Sequence, residues 1–532
     1  MPLGSSKQQS LTKRSTIIKP STMTSASNPD LLDQIKTEIE SFLRSLPHAV
    51  LLEDGAEVMD LASSEWRLSL EFGKLLLQVW DGTRSILRRI EEVAYRDEGR
   101  LGLFIRKPGG RETGTMELRE RGAAGHVSPA SRPDARFRLR RDITVYLKKY
   151  FPEWRIERIS NRSDREHSFS VWYTRGLARR GRLAWAFAVL DASESLAAAD
   201  AALAYGLNWL DWLRENSGGC VVSGLKLFLP PGAIPLTALR AVHLNRDAAE
   251  VEIFPWPHPG PPEPVSPGEF ANTETRLAPR REAGQWIERH SDFLLDAFGK
   301  SLGRMDAIPD SAANALSFRV FGLEVARMEG QIAPRLLWGA EGNRRVYREE
   351  ERQDFQEFIE RVLAHRHPGS SADHEIYRLQ PERWLESLLI RDLSILDPEL
   401  RAGQVYPQVP AFSGIDRGVV DILSISKEGR LAVIELKLHE EITLPLQGLD
   451  YWLHVKQLND RGQFHASGYF PGIPISPAPP VLYLVSPAFR FHPANERILR
   501  YFHPSVEVIA VGLNQQWRKG VKVLFRKNVK RG

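Results

Sequence analysis

Two acidic residues and a lysine on adjacent predicted strands are the side chains of this sequence best suited to chemistry. Asp421 lies in one apolar stretch, and a Lys-Glu-Gly turn separates it from a second stretch that contains Glu435 and Lys437. Side chains alternate along a strand, so Glu435 and Lys437 share one face. Charges in such a place are costly unless they are paired or bind a metal ion. If the hairpin brings Asp421 beside Glu435, the two carboxylates and the main-chain carbonyl of Leu436 supply oxygen ligands suited to Mg²⁺ or Mn²⁺.

Lys437 and three residues on flanking helices complete the candidate site. Lys437 is placed to orient a metal-bound water or take its proton, and to offset charge on a phosphate. Upstream, residues 381–390 have the pattern of an amphipathic helix that carries Glu386. Downstream, Gln447 and Tyr451 are spaced one helical turn apart, so they share a helix face. The strand pair must therefore be flanked by two helices if all these groups act together.

The order of these motifs, a helix acid, an Asp, a Glu-x-Lys and a Gln-x-x-x-Tyr, resembles the PD-(D/E)XK nuclease superfamily. Within it the pattern is similar to the RecB-like and NucS-like branch, over roughly residues 376–525. One position departs from the family pattern, because Val420 stands where many members have a proline. The resemblance implies an α/β class, α+β overall, with a restriction-endonuclease-like mixed sheet flanked by helices.

The resemblance also implies an activity, the metal-dependent hydrolysis of phosphodiester bonds in DNA. In that scheme the two strand carboxylates bind Mg²⁺ or Mn²⁺, Lys437 positions the nucleophile, and Glu386 holds a second ion through water. Gln447 and Tyr451 contact the substrate backbone or brace the site. A Glu-x-Lys alone is more often a solvated strand face, and the motifs gain weight only together and in their structural context.

Composition restricts the class of protein. With 532 residues the chain is expected to form about three or four domains. Hydrophobic residues make up 42%, which suits globular domains, and the net charge of +5 permits nucleic-acid binding without requiring it. The single cysteine, Cys220, excludes an internal disulfide framework and favours a reducing cytoplasm. No apolar run is long enough to span a bilayer, so no membrane partner is expected.

Short matches that recur in the same order predict a tandem duplication. Gly181 and Gly429 each precede Arg-Leu-Ala and an apolar strand, 248 residues apart. The first copy has the apolar stretch 186–189 where the second has its Glu-x-Lys, and Tyr205 and Trp209 replace the Gln-x-x-x-Tyr pair. Residues 169–173, aligned with Asp421, contain no acid. Without carboxylates a strand cannot hold a hard cation, so the first copy is predicted to be catalytically inactive.

The predicted organisation places a small β-rich domain before each nuclease-like copy. By resemblance to the NucS-like family, the two halves would form an intramolecular pseudo-dimer that binds DNA, with one active centre. The predicted segments are a disordered leader (1–29), a β-rich domain (30–125), a degenerate nuclease-like domain (130–254), a stiff proline-rich linker (255–283), a second β-rich and helical domain (284–370) and the nuclease domain (376–532).

Basic clusters are compatible with DNA binding, and a second interpretation remains open. Residues 136–141 and 175–180 are rich in arginine and lie near aromatic residues, although for each cluster alone a solvated face is the better explanation. His454 is expected on a helix surface. The alternative function is a non-catalytic nucleic-acid-binding or scaffold protein that retains the nuclease fold. The sequence leaves open DNA or RNA, and single-stranded, branched or mismatched substrates.

Overall fold

A computed structural model describes most of the chain and divides it into two compact units. The described residues are 29–46, 48–53, 56–71, 74–81, 85–97, 100–106, 113–121, 132–270, 275–310, 313–330, 333–339, 344–412 and 417–529. Unit 1 is Met1–His126 with Glu341–Arg344, and unit 2 is Val127–Ala340 with Arg345–Gly532. The fold is mixed α+β. Nearly all of the predicted leader, residues 1–28, lies outside the described residues.

Unit 1 is a helix packed on an antiparallel sheet. Its elements are α1 (Pro29–Ser45), β1 (Ala49–Glu53), β2 (Ala56–Asp60), β3 (Glu65–Glu71), β4 (Lys74–Trp80), β5 (Ser85–Asp97), β6 (Arg100–Arg106) and β7 (Thr113–Glu120). The sheet order is β2-β1-β7-β6-β5-β4-β3, and every described pair is antiparallel. Ile39, Phe42 and Leu43 of α1 pack on the apolar face that strand alternation produces.

Unit 2 begins with a five-stranded mixed sheet, the first α/β domain. Its elements are α2 (Arg132–Tyr150), β8 (Arg155–Ser160), β9 (Tyr173–Arg180), β10 (Leu183–Leu190), α3 (Leu196–Asn216), β11 (Val221–Leu229), α4 (Ile234–Ala241) and β12 (Glu250–Pro255). The sheet order is β12-β11-β10-β9-β8. Helix α2 packs on one face, around Phe187, and α3 packs on the other, around Ala186 and Ala188.

A small antiparallel sheet with its own helices follows. The elements are β13 (Arg276–Leu277), α5 (Ala283–Arg289), α6 (Ser291–Phe298), β14 (Asp306–Asp310), β15 (Ala315–Val320), β16 (Leu323–Glu329), β17 (Arg335–Trp338), β18 (Arg345–Val346), α7 (Arg352–His365) and α8 (Glu375–Arg378). Strands β14 to β18 pair in chain order, and Phe355 and Phe358 of α7 belong to their core. Strand β13 instead joins the edge of the next sheet.

The second α/β domain completes unit 2 and contains the predicted site. Its elements are α9 (Pro381–Arg391), β19 (Leu400–Phe412), β20 (Arg417–Ser426), β21 (Leu431–Leu436), α10 (Leu444–Asp460), α11 (Gln463–Ala466), β22 (Val481–Pro487), α12 (Ala494–Leu499), β23 (Glu507–Leu513) and β24 (Val523–Asn528). The sheet order is β13-β19-β20-β21-β22-β23-β24. Across the described residues, no helix is long and apolar enough to cross a membrane.

The two α/β domains of unit 2 share one order of elements. Apart from the short helix α11 and the last strand β24 of the second domain, each runs α-β-β-β-α-β-α-β, with an antiparallel meander followed by two parallel strands. The helix after the meander carries a glycine at its closest approach to the sheet in both. A Cβ on Gly206 would lie 2.8 Å from Leu225 Cδ2, and one on Gly448 would lie 2.7 Å from Leu484 Cδ2. The predicted match of these two helix segments therefore coincides with the same packing contact.

The contacts between the two α/β domains are reciprocal. The Asn245 amide donates to the Tyr501 carbonyl, and the His503 amide donates to the His243 carbonyl, each at 2.8 Å. These bonds flank an isolated antiparallel bridge at Leu244, just after α4. The partner segment lies just after α12, so equivalent segments of the two domains meet each other. Reciprocal contacts of this kind are characteristic of a two-fold interface.

Two arginines at the helix packing follow the same reciprocity. Arg240 of α4 donates to both carboxylate oxygens of Asp450 in α10, at 2.9 and 2.6 Å. Arg497 of α12 reaches Asn208 of α3, at 3.5 Å. Apolar side chains from α3, α4, α10 and α12 belong to one continuous core. The Arg240 side chain is 1% exposed, which makes its ion pair the most deeply buried of these contacts.

The proline-rich segment 255–283 packs against its neighbours, whereas the sequence predicts a stiff linker without a fold. Tyr146 donates to the Gly260 carbonyl at 3.1 Å, and the Val265 amide donates to Ile253 at 2.8 Å. Further along, β13 extends the sheet of the second α/β domain. Amide and carbonyl groups of this segment therefore form hydrogen bonds with other parts of the fold. Sequence composition alone does not reveal these partners.

A histidine at the domain packing predicts a pH-dependent stability. Burial, with smaller contributions from Lys456 and His503, lowers the pKa of His243 to about 4. The unfolded chain gains a proton below about pH 6.5 that the folded chain accepts only near pH 4, so stability falls across this window as pH falls. We expect urea unfolding to lose up to about 1.4 kcal/mol per pH unit, and His243→Gln to reduce that slope.

The matched control is His465→Gln, which removes an exposed imidazole from α11. Its slope of stability against pH should equal that of the wild type. Equal slopes for His243→Gln and the wild type would show that His243 does not contribute to the pH dependence.

Candidate active site

The β20–β21 hairpin brings the predicted carboxylates together. The Leu436 amide donates to Asp421 Oδ2 at 3.0 Å, which joins the two strands at the carboxylate. Glu435, next to Leu436, is 2% exposed, and the neighbouring pair Ile422 and Ile434 places it opposite Asp421 on the adjacent strand. Lys437 Nζ lies 3.7 Å from Glu435 Oε1. Asp421, Glu435, Leu436 and Lys437 thus lie at one place, as the strand alternation predicts.

The turn of this hairpin is fixed by a glycine and a loop packed over it. Gly429 has φ +84°, a conformation that residues with a Cβ rarely adopt. A Cβ there would lie 2.4 Å from the Pro474 carbonyl oxygen, and the Ser476 amide donates to the Gly429 carbonyl at 2.7 Å. The proline-rich loop 471–480 therefore packs over the turn and helps to hold the two strands in register.

Burial sets the protonation of the carboxylate pair. Burial raises the pKa of Asp421. The hydrogen bond from the Leu436 amide favours the charged carboxylate and opposes this rise only in part. Burial also raises the pKa of Glu435 well above its usual value, and the neighbouring Asp421 carboxylate raises it further. Burial lowers the pKa of Lys437, but Glu435, Glu382 and Asp421 outweigh it and raise the pKa overall. The ammonium form of Lys437 is therefore favoured, which suits orientation and charge neutralisation and opposes proton uptake.

Glu386 is connected to the pair through Gln408. The Gln408 Nε2 group donates to Glu386 Oε2 at 2.5 Å and to Asp421 at 3.4 Å. Arg383 also donates to Glu386 Oε2, and Arg319 of β15 lies 3.8 Å from Oε1. Burial raises the pKa of Glu386 to about 7. Gln408, Arg383 and Arg319 thus hold the carboxylate of Glu386, and Gln408 links it to Asp421. The role of Glu386 toward a second ion remains a prediction.

Gln408 holds this position with a strained backbone. Its φ is +53°, in the left-handed region that residues other than glycine rarely adopt. Such strain costs about 1–3 kcal/mol and clusters at functional sites. Gln408 lies opposite Asp421 on the neighbouring strand, since the residues on either side of it pair with Ile422 and Val420. Sequence spacing gives no signal for this contact.

Glu382 is a further acidic residue of the site that the sequence analysis missed. It lies one turn before Glu386 on α9, and its Oε1 accepts the Leu438 amide at 3.4 Å. The charge of Glu382 acts on Asp421, Glu435 and Lys437. The signal was available, because residues four apart on a helix share a face.

Gln447 and Tyr451 lie on α10, which packs against β21 and β22. The Gln447 Oε1 atom is buried and has no hydrogen-bond partner among the described residues. Tyr451 is half-buried and packs against the main core of unit 2. His454 is 2% exposed, so its predicted place on a helix surface is wrong. Helices α4 and α12 cover the side of α10 that faces away from the sheet, which a single helical pattern does not reveal.

The first α/β domain carries different residues at the equivalent positions. Its β9–β10 hairpin has a two-residue loop, whereas the β20–β21 hairpin has three residues. The shorter loop shifts by one residue which side chains of β10 point to each face of the sheet. Ala188 therefore occupies the position equivalent to Glu435, whereas the sequence alignment assigned that position to Phe187. Arg175, which pairs with Ala188 across the strands, takes the place of Asp421. With this alignment, too, the first domain has no carboxylate at the positions equivalent to Asp421 and Glu435.

Arg175 is built into the core of the first domain. It is 7% exposed, and its guanidinium lies 4.4 Å from the ring centroid of Phe169 and 5.4 Å from that of Trp209. Burial lowers its pKa to about 10. Arg136 is paired with Glu194 at 2.7 Å. These two arginines of the predicted basic clusters are therefore engaged in the fold and not available to phosphates.

The donor set of the second domain suits a hard divalent cation. Glu435 is buried beside the partly exposed Asp421, and Glu435 Oε2 is a buried acceptor without a hydrogen-bond partner among the described residues. Where the structure describes the chain, no group of three or more His, Cys, Asp and Glu side chains is arranged to hold a metal ion. The predicted set needs only Asp421, Glu435 and the Leu436 carbonyl, with water at the remaining positions.

Comparison with known proteins adds no relative. No protein-family model matches the chain, and no curated protein is significantly similar to it. The function therefore has to be argued from the geometry of the site itself.

Proposed function

We propose that this protein is a divalent-metal-dependent nuclease with one active centre, at Asp421 and Glu435 of the second α/β domain. The observation that carries the proposal is the buried Glu435 opposite Asp421, with a Glu435 oxygen that has no hydrogen-bond partner among the described residues and a lysine 3.7 Å from Glu435. Neighbouring like charges that are shielded from water are unfavourable unless a proton or a cation lies between them. A fold kept only for packing has no need of this arrangement.

Each residue of the site has a proposed part in phosphodiester hydrolysis. Asp421, Glu435 and the Leu436 carbonyl hold the ion, which when bound activates water and neutralises charge on the phosphate. Lys437, kept protonated by its carboxylate neighbours, orients the nucleophile and faces the phosphate. The negative charge of Glu382 raises the pKa of Lys437, and its carboxylate accepts a hydrogen bond from the amide of the next residue, Leu438.

The first α/β domain is proposed to be a non-catalytic partner in an intramolecular pseudo-dimer with the duplicated nuclease fold. The shared order of elements and the reciprocal contacts across the bridge at Leu244 support this arrangement. Arg175 in place of a carboxylate removes the means to hold a cation there. The DNA substrate and the cytoplasmic location remain predictions from the sequence.

The alternative function is nucleic-acid binding without turnover. The direct test incubates the protein with single-stranded, duplex, mismatched and flap DNA, with Mn²⁺ and with EDTA. Metal-dependent cleavage of any substrate supports the nuclease, whereas binding without cleavage on all of them favours the alternative.

A metal titration gives a prediction that does not depend on knowing the substrate. Mg²⁺ or Mn²⁺ should raise the unfolding temperature, because a ligand that binds only the folded state stabilises it, by about 2.7 kcal/mol at 100 times its Kd. Asp421→Ala should remove the rise. Ca²⁺ serves as a second probe of hard-cation binding, and an equal rise in wild type and variant would place the bound metal elsewhere.

A further inference from the structure

A cleft of about 800 Å³ lies next to the carboxylate pair. One wall is formed by β14 and the segment that leads into α5, and the other by β19 and α9. Gln408 lines this cleft and donates to both Glu386 and Asp421. Ser387, which follows Glu386 in the chain, also lines it. The cleft, which we call the Arg281 cleft, is therefore one side chain away from the proposed metal ligands.

Three arginines, Arg280, Arg281 and Arg391, line the Arg281 cleft together with two acids, Glu282 and Asp306, so the cations outnumber the anions by one. Arg391 pairs with Asp306 at 3.3 Å, and Arg280 lies 3.8 Å from Glu282. Exposed pairs of this kind are worth little, so phosphate oxygens can replace these carboxylates as partners. Arg281 itself has no ion-pair partner within the part of the chain that the structure describes.

Most of the remaining lining is apolar, and the two bordering strands are unsuited to pairing with an added peptide strand. Ile287, Ile308 and Ile390 line the walls, and Pro309 and Pro407 lie on the two bordering strands. Prolines lack the amide that an added strand would need, which argues against a peptide bound by strand addition. The volume is in the range of small-ligand sites, so the cleft suits a few unpaired nucleotides and is too small to enclose a stretch of duplex.

We propose that the Arg281 cleft binds an unpaired strand of nucleic acid and leads it to the carboxylate pair. Arg280, Arg281 and Arg391 contact the phosphates, and the isoleucines contact the bases. The inference rests on the proposed nuclease function and narrows it to substrates with a single-stranded segment. Gln408 lies between the cleft and the carboxylates, so the bound nucleic-acid strand contacts it last on its way to the carboxylate pair.

The test measures binding without metal, so it does not depend on cleavage. Fluorescence anisotropy in EDTA compares a labelled single-stranded oligonucleotide with its duplex, for wild type, Arg281→Glu, Arg391→Glu and Ile308→Trp. The wild type should bind the single strand more tightly, and each variant should bind it about tenfold more weakly. For each arginine variant the slope of log K against log salt should become shallower by about 0.7, the value for one phosphate contact in a single strand.

The matched control is Arg182→Glu, the same charge change at an exposed turn of the first α/β domain. Equal weakening by Arg182→Glu, equal affinity for duplex, or full competition by a mononucleotide would each overturn the strand-binding assignment. Thermal melts identify any variant that fails to fold, and Ile308→Trp then tests the cleft without a change of charge. If the wild type binds as expected but cleaves nothing with metal, the nuclease proposal fails and the cleft assignment stands.

Discussion

Asp421→Ala and Glu435→Gln are each expected to abolish metal-dependent cleavage and to leave nucleic-acid binding largely intact. Each substitution removes one of two carboxylates, and a hard cation bound by so few protein ligands does not tolerate the loss. We expect the cleavage rate to fall by about 10³-fold or more, which corresponds to about 4 kcal/mol of transition-state stabilisation. Single-turnover cleavage in Mn²⁺, with binding measured in EDTA, separates the two effects.

Glu399→Gln provides the matched control for these variants. It makes the same change at an exposed residue just before β19, where Glu399 faces Lys427 on the surface at 4.0 Å. Its cleavage rate should equal that of the wild type within about twofold, since exposed pairs contribute little. Cleavage by Asp421→Ala at the wild-type rate would rule out the carboxylate pair as the active centre.

Arg240→Ala is expected to cause the largest loss of stability among single substitutions at the packing of the two α/β domains. Burial opposes the charged form of Arg240, but Asp450 and Asp200 outweigh that effect and keep its pKa above the usual value. Removing the guanidinium leaves Asp450, which is 5% exposed, without its buried counter-charge. Breaking a buried pair in this way costs about 3–5 kcal/mol. The urea midpoint of the full-length protein reports the change.

A double variant distinguishes a lost ion pair from lost packing. Arg240→Met with Asp450→Leu removes both charges, and it should recover much of the stability, because two apolar side chains often replace a buried pair at little cost. Arg141→Ala is the control at a side chain that is 62% exposed, with an expected change below about 1 kcal/mol. If Arg240→Ala resembles Arg141→Ala, the buried pair does not stabilise the domain packing.

The local parts of the candidate site were predictable because they depend on near neighbours in sequence. Strand alternation places Glu435 and Lys437 on one face, and a short turn necessarily returns the chain beside Asp421. The i, i+4 spacing of Gln447 and Tyr451 places them on one face of α10 in the same way. These are consequences of backbone periodicity, which every helix and strand shares.

The errors arise where one residue or one distant element changes the outcome. A hairpin loop shorter by one residue moves the face of β10, so Ala188 and Arg175 occupy the positions that the alignment gave to other residues. His454 is buried although its own helix pattern suggests a surface, and its helix α10 packs against two helices from elsewhere in the chain, α4 and α12. Neither effect is encoded in the local pattern of hydrophobic residues.

By itself, the sequence determined the carboxylate pair, the lysine beside it and the strand–turn–strand frame that brings them together. Only the tertiary structure decided that Gln408 of β19 and Arg319 of β15 engage Glu386, and that a cleft opens beside them. The physical reason is that strand register and domain packing bring together residues with no fixed spacing. Contacts of this kind form when whole helix and sheet faces pack together, so no single segment of the sequence predicts them.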